Sequence, residues 1–223
     1  MAVVCDGLGG LSLGEVASGN VILAFDKWFK EQFMAPGAEW TGESIRNSWE
    51  DIIYSMNQKI KEYGASQGVE MGTTITAVLF LKDKYYAIHV GDSRLYELSD
   101  GCRQITEDQT LIARELAQGI ITKEQALTDS RRNVLLQCIG VTQKLLPAFY
   151  SGNINGEAAY LVCSDGFRHV ITPDEIYQLC RPLQNLTQKV MQVNLTSLVE
   201  RVKQRGERDN ISAVLIQVGR ETC

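Results

Sequence analysis

Three aspartates in this sequence share one context. Asp6 ends the apolar run Ala2-Val3-Val4-Cys5, and Asp165 ends Tyr160-Leu161-Val162-Cys163-Ser164. Asp209 comes just before Ile211-Ser212-Ala213-Val214-Leu215. A strand inside a sheet holds its terminal residue rigidly, so neighbouring strands would bring the three carboxylates to one sheet edge. Carboxylates brought together repel one another unless they are protonated or neutralised. A cluster of oxygen donors without His or Cys suits a hard cation, Mg²⁺ or Mn²⁺. The competing reading is turn chemistry, because Asp-Gly after a strand is also an ordinary turn and occurs at Asp6, Asp100 and Asp165. Asp100 fits a hairpin. Asp6 and Asp165 are set apart by the apolar strand before each and the helix-like segment beyond.

The glycines after Asp6 (Gly7, Gly9, Gly10 and Gly14) read poorly as a phosphate cradle. A dinucleotide loop needs Gly-x-Gly-x-x-Gly, and the sixth position from Gly7 is Ser12; the Lys-Ser/Thr pair of a P-loop is absent. They are better explained as letting the backbone turn tightly and bring a carbonyl, that of Gly7, toward a metal. The sequence argues against zinc, because the only histidines, His89 and His169, have no cysteine at ligand spacing. The six cysteines form no CxxC pair, and Cys5 and Cys163 sit inside strand-like runs, as buried thiols of a reducing cytoplasm do.

The elements that would position these residues follow from periodicity. Ala17, Val21, Ala24, Phe25, Trp28 and Phe33 recur at roughly helical spacing; Ile45, Trp49, Ile52, Ile53, Met56, Ile60 and Tyr63 do so more cleanly, with Gly64 as a candidate cap. Strands are expected over 73–81, 85–90, 94–98, 102–105, 159–164 and 211–218, with short turns at Asp83-Lys84 and Ser99-Asp100-Gly101. Between 106 and 142 the pattern is mixed, apart from a possible capping box at Thr122-x-x-Gln125. Thr172-Pro173-Asp174-Glu175 is a strong helix start, and residues 186–202 are helical by spacing. Hairpin-linked strands argue for antiparallel sheets. Helices segregated from strands argue for an α+β layered fold rather than a βαβ repeat.

The 223 residues are 44% hydrophobic and 22% charged, suited to one globular domain. With 27 acidic against 22 basic residues the net charge is −5, which argues against nucleic acid as a partner. No apolar run approaches a membrane span, and the first residues lack the pattern of a signal peptide. A cytoplasmic location is expected.

Six stretches, in order, resemble the signatures of the metal-dependent Ser/Thr protein phosphatases of type 2C, in their bacterial form. They are Val4-Cys5-Asp6-Gly7-Leu8-Gly9-Gly10 with Gly14 to Ser18, Gly72-Thr73-Thr74, Val90-Gly91-Asp92-Ser93-Arg94-Leu95-Tyr96, Thr106-Glu107-Asp108 with Arg132 to Gly140, Cys163-Ser164-Asp165-Gly166-Phe167, and Asp209-Asn210-Ile211-Ser212. The resemblance implies two stacked antiparallel sheets flanked by antiparallel helix pairs, with a flap-like insert over 106–142 in a single domain, 1–223. It implies a two-metal site for Mn²⁺ or Mg²⁺, with Asp6 bridging the ions, Gly7 offering its carbonyl, and Asp165 and Asp209 completing one shell. It also implies hydrolysis of phosphoserine and phosphothreonine in protein substrates by a hydroxide between the metals.

Four departures from that family pattern stand out. The family's earlier strand, with its phosphate-binding Arg and acidic ligand, does not precede Asp6, so an absent N-terminal segment is expected. Leu8 stands where eukaryotic members carry a His proposed as general acid. Gln109 stands where the family often has His. His169 stands where the family usually has an Asp that holds a third metal together with Asp92. These departures keep an alternative open, a catalytically weak or inactive phosphatase-like regulatory or binding module, and a more distant one, a hydrolase of small phosphoesters.

Overall fold

The computed structural model describes residues 1–8, 13–154, 156–182 and 187–219. Gly9, Gly10, Ser12, Leu186 and Cys223, named above, lie outside them. Strands β1 (Ala2–Val4) and β2 (Gly7–Leu8) lead into α1 (Leu13–Trp28), a turn of π-helix (Phe29–Phe33) and α2 (Gly42–Gln67). Then come β3 (Gly72–Thr73), β4 (Ile75–Leu81), β5 (Lys84–Val90), β6 (Arg94–Leu98) and β7 (Cys102–Gln104). Helices α3 (Leu111–Ala117) and α4 (Lys123–Thr128) precede β8 (Ala148–Asn153) and β9 (Ala158–Cys163). The chain ends with α5 (Asp165–Arg168), α6 (Pro173–Cys180), α7 (Gln188–Gln204) and β10 (Ala213–Val218).

Two antiparallel four-stranded sheets form, in the orders β1-β4-β5-β8 and β10-β9-β6-β7. Period-two alternation feeds two cores from each strand. In β4, Ile75, Ala77 and Leu79 face α1 and α2, where they meet Phe25, Trp28, Trp49 and Ile53. Val78 faces the other sheet and meets Leu95, Tyr160 and Val162. In β9, Ala159, Leu161 and Cys163 turn outward onto α6 and α7, against Ile176, Leu198 and Val202. The result is helices, sheet, sheet, helices, as the α+β reading anticipated.

Most expected elements are present within a residue or two. The strand expected over 73–81 is broken at Thr74, whose backbone N–H donates to the carbonyl of Asp6 instead of continuing the ladder. Gly64 does not cap α2: the helix runs on to Gln67 and closes on Gly68, which has φ 69°. Gly64 lets the helix pass close to the chain beyond it, since a Cβ there would stand 2.8 Å from the Val69 carbonyl oxygen. Helix α3 and strand β8 carried no periodic signal. Strand β8 is an edge strand, half-buried over Ala148 to Tyr150, held by pairing with β5 from Lys84↔Asn153 to His89↔Ala148.

Candidate carboxylate site

One end of the sandwich collects the functional candidates because β1 and β9 end there while β6 and β10 begin there. Val4 pairs with Thr76 near the start of β4, and Cys163 pairs with both Arg94 and Ala213. Asp6 follows β1 by two residues. Its backbone is fixed on both sides by the Gly72-Thr73-Thr74 stretch. The Asp6 N–H donates to Thr74 Oγ1 (3.0 Å), and its carbonyl accepts from Thr73 Oγ1 and Thr74 N, both at 2.9 Å. Thr74 Oγ1 reaches Ser93 Oγ at 2.9 Å, so its hydroxyl proton is free for Ser93 while its lone pair takes Asp6. Gly7 pairs with Thr73, and a Cβ at Gly7 would come within 2.2 Å of the Gly14 carbonyl oxygen. No other residue fits that close approach of loop to helix.

Asp165 and Asp209 are tied together through Ser164. Ser164 N donates to the Ser212 carbonyl (3.0 Å), Ser164 Oγ donates to the Asn210 carbonyl (3.2 Å) and accepts from Ser212 N (3.1 Å). Asp165 then opens the single turn α5. Gly166 is packed against the 209–210 backbone, where a Cβ would meet the Asn210 carbonyl oxygen at 2.5 Å.

The electrostatics show the consequence of this convergence. Burial first, and then the Asp165 carboxyl at hydrogen-bonding range, push the Asp6 carboxyl up to about 8; the charges of Asp209 and Asp92 add to the effect. Burial and the charge of Asp165 likewise raise Asp92 to about 6, against the pull of Arg168. Asp6 and Asp165 meet, while Asp209 and Asp92 act on Asp6 through space. Among the described residues no three such groups close into a ready-made ligand set.

Residues the three-aspartate reading missed build the second half of the site. Arg94 makes a two-pronged contact with Asp108, Nε to Oδ1 at 2.8 Å and Nη2 to Oδ2 at 2.7 Å. Burial works to raise the Asp108 carboxyl, but this fork, with Arg168, carries it below its ordinary value. Gln109, at the position where His was expected, fastens the Gly91 turn: Gly91 N donates to Gln109 Oε1 and Gln109 N to the Gly91 carbonyl. His169 is half-buried beside the carboxylates. Its Nε2 lies 3.5 Å from Asp165 and its Nδ1 3.2 Å from Glu207, whose other carboxylate oxygen accepts from the N–H of Asp209. A cavity of about 790 Å³ adjoins this network, between α3 and α4 on one side and residues 168–173 on the other. Arg94 and Asp108 both stand in the quoted motifs, but their pairing was not read from them; Glu207 carried no sequence signal.

The sequence model of the protein phosphatase 2C family matches residues 1–202. The chain is 30% identical over 220 residues to the serine/threonine phosphatase stp of Listeria innocua, an alignment covering 97% of this chain and 84% of that protein. Its fold superposes on the Streptococcus agalactiae serine/threonine phosphatase with TM-score 0.85 at 27% identity, covering 98% of this chain and 86% of the other. It superposes with TM-score 0.78, also at 27% identity and covering 97% and 86%, on the catalytic domain of the phosphatase PstP solved in complex with two manganese ions. This chain belongs to the protein phosphatase 2C family. The family is one of serine/threonine protein phosphatases, so the chain is an enzyme and its substrates are phosphorylated proteins.

Proposed function

We propose that this chain hydrolyses phosphoserine and phosphothreonine in proteins using Mn²⁺ or Mg²⁺, held by Asp6, the Gly7 carbonyl, Asp165 and Asp209. The observation that carries this reading is the convergence of carboxylates at one sheet edge: Asp6, held by Thr73 and Thr74, meets Asp165, which Ser164 ties to the Asp209 segment, and burial and this crowding raise the Asp6 carboxyl. Such a group is misplaced as a structural residue and well placed as a cation ligand, because a divalent ion would relieve both the burial and the repulsion. The donors are all oxygens, which fits these ions and not zinc. Bound there, the ions would offset phosphoryl charge and acidify water near neutral pH.

The chain's own residues have separate tasks. Thr73 and Thr74 hold Asp6 on both sides of its peptide, and Ser164 fixes the distance between Asp165 and Asp209. Such positioning keeps reacting groups in line without reorganisation. Leu8, the residue after Gly7, has no proton to give, so the leaving alkoxide takes its proton from solvent. The cavity beside Asp108 leaves room for polypeptide flanking the phosphorylated residue. The same reading places the protein in the cytoplasm, in keeping with five free cysteines among the described residues; no described helix is long and apolar enough to cross a membrane. The net charge of −5 argues against nucleic acid as a partner. Phosphate release from a phosphothreonine peptide should require Mn²⁺ or Mg²⁺ and stop with a chelator. Manganese binding without any such release would overturn the phosphatase reading and favour a binding module.

A further inference from the structure

Arg168 puts a guanidinium against the carboxylate site, and no part of the reading above uses it. It stands three residues after Asp165, at the end of α5, with its side chain 12% exposed. Its Nη2 donates to the Asp92 carbonyl (3.1 Å), faces Asp92 Oδ2 (3.5 Å) and donates to Asp108 Oδ2 (3.2 Å). Its Nε is buried without a partner. Asp108 already receives the two-pronged contact of Arg94, so its charge is answered before Arg168 arrives. The acid that needs Arg168 is Asp92, which has no other cation in its salt-bridge contacts among the described residues.

The family resemblance assigns Asp92 to a third metal together with an acid at position 169. The residues present do not fit that ion. Position 169 is His, and its Nε2 faces Asp165. Position 168 places a fixed positive charge against Asp92. A divalent cation needs about six oxygen ligands and room for its water, and a neighbouring guanidinium repels it. Withdrawing Arg168 to admit an ion would break its contacts with the Asp92 carbonyl and carboxylate, in a side chain only 12% exposed, which is costly.

We propose that the Arg168 guanidinium takes the place of a metal ion beside Asp92, so that Asp92 is not a metal ligand in this chain. Arg168 thus limits the number of ions the site accepts. The proposal rests on the metal reading given under Proposed function.

Manganese titration calorimetry on the whole chain tests it, with the ion count as readout. The wild-type protein and Asp92→Asn should bind the same number of Mn²⁺ ions. Arg168→Ala should bind one more, Arg168→Lys should not, and Arg168→Ala with Asp92→Asn should return to the wild-type count. Loss of an ion in Asp92→Asn alone overturns the proposal, whatever the fate of the Arg168 variants. So does an unchanged count in an Arg168→Ala protein whose cooperative thermal unfolding shows it is folded. A wild-type protein that binds no Mn²⁺ overturns the metal reading and this proposal with it. Manganese binding with the wrong dependence on Asp92 or Arg168 overturns this proposal only.

Discussion

His89 should make this protein acid-labile by an amount that can be isolated. It is fully buried between the sheets, near the end that carries the carboxylates. Its Nδ1 lies 2.9 Å from Thr76 Oγ1, which also lies 2.9 Å from the Ser93 carbonyl. One arrangement serves both contacts: Thr76 donates to the carbonyl and accepts from Nδ1–H, leaving Nε2 as the site for a second proton. Nε2 is buried without a partner. Burial lowers this imidazole from 6.5 to about 4; Asp108 and the carbonyls of Gly91 and Glu107 work against the shift, and Arg168 works with it.

The sign follows from proton counts. Between these two values the unfolded chain binds the proton and the folded chain does not, so stability falls as pH falls. The contribution is fully present above 6.5 and is lost by about 4. Each pH unit below 6.5 removes about 1.4 kcal/mol, so the loss at pH 4.5 is about 2.5 kcal/mol. With a urea slope of about 2 kcal/mol/M, that moves the midpoint by about 1 M. His89→Asn keeps a hydrogen-bonding partner for Thr76 and cannot titrate. Urea unfolding of both proteins at pH 7.5 and 4.5 separates this effect from that of the carboxylates. The wild-type midpoint should drop about 1 M further than that of the variant. Equal drops would refute the argument, because they would mean that His89 is not held neutral in the folded state.

Three further outcomes are expected. Asp165→Asn removes a full charge from the proposed cation shell and should weaken Mn²⁺ binding at least about tenfold in calorimetry, with the fold retained by circular dichroism. Thr74→Val leaves the Asp6 N–H and the Ser93 hydroxyl without their shared partner. It should cost about 1–3 kcal/mol in urea unfolding and lower turnover on a phosphopeptide, with Thr74→Ser restoring both. Gly166→Ala drives a Cβ against the Asn210 carbonyl oxygen at 2.5 Å and should cost about 1–3 kcal/mol in thermal unfolding while weakening Mn²⁺ binding through the displaced Asp209; full metal affinity in that variant would show that the 209–210 segment does not set the site.

Much of this protein was legible before folding. Strands β4, β5 and β9 were legible as runs rich in β-branched and apolar residues bounded by turns, which is local chemistry, whereas their stacking as two sheets was what the family resemblance implied. The helix starts at Thr122 and Thr172 were equally local, since a capping box closes within four residues, and both boxes are formed. Asp6, Asp165 and Asp209 could be singled out because each lies within a few residues of a strand of its own, although contacts from elsewhere in the chain hold them in place. Other features needed the tertiary structure, because their partners lie far away along the chain. The break at Thr74 exists only because Asp6 lies across from it. Strand β8 is a strand because β5 supplies its hydrogen bonds; Phe149 and Tyr150 pack against opposite cores but stay half-buried at the sheet edge, so no apolar alternation marks the segment. The meeting of Asp6 with Asp165, the bridge of His169 to Glu207, and the reach of Arg168 to Asp92 and Asp108 depend on where long-separated turns come to rest. A guanidinium on a long side chain finds its charge partner by spatial proximity, and residue type and spacing carry no record of which carboxylate that is.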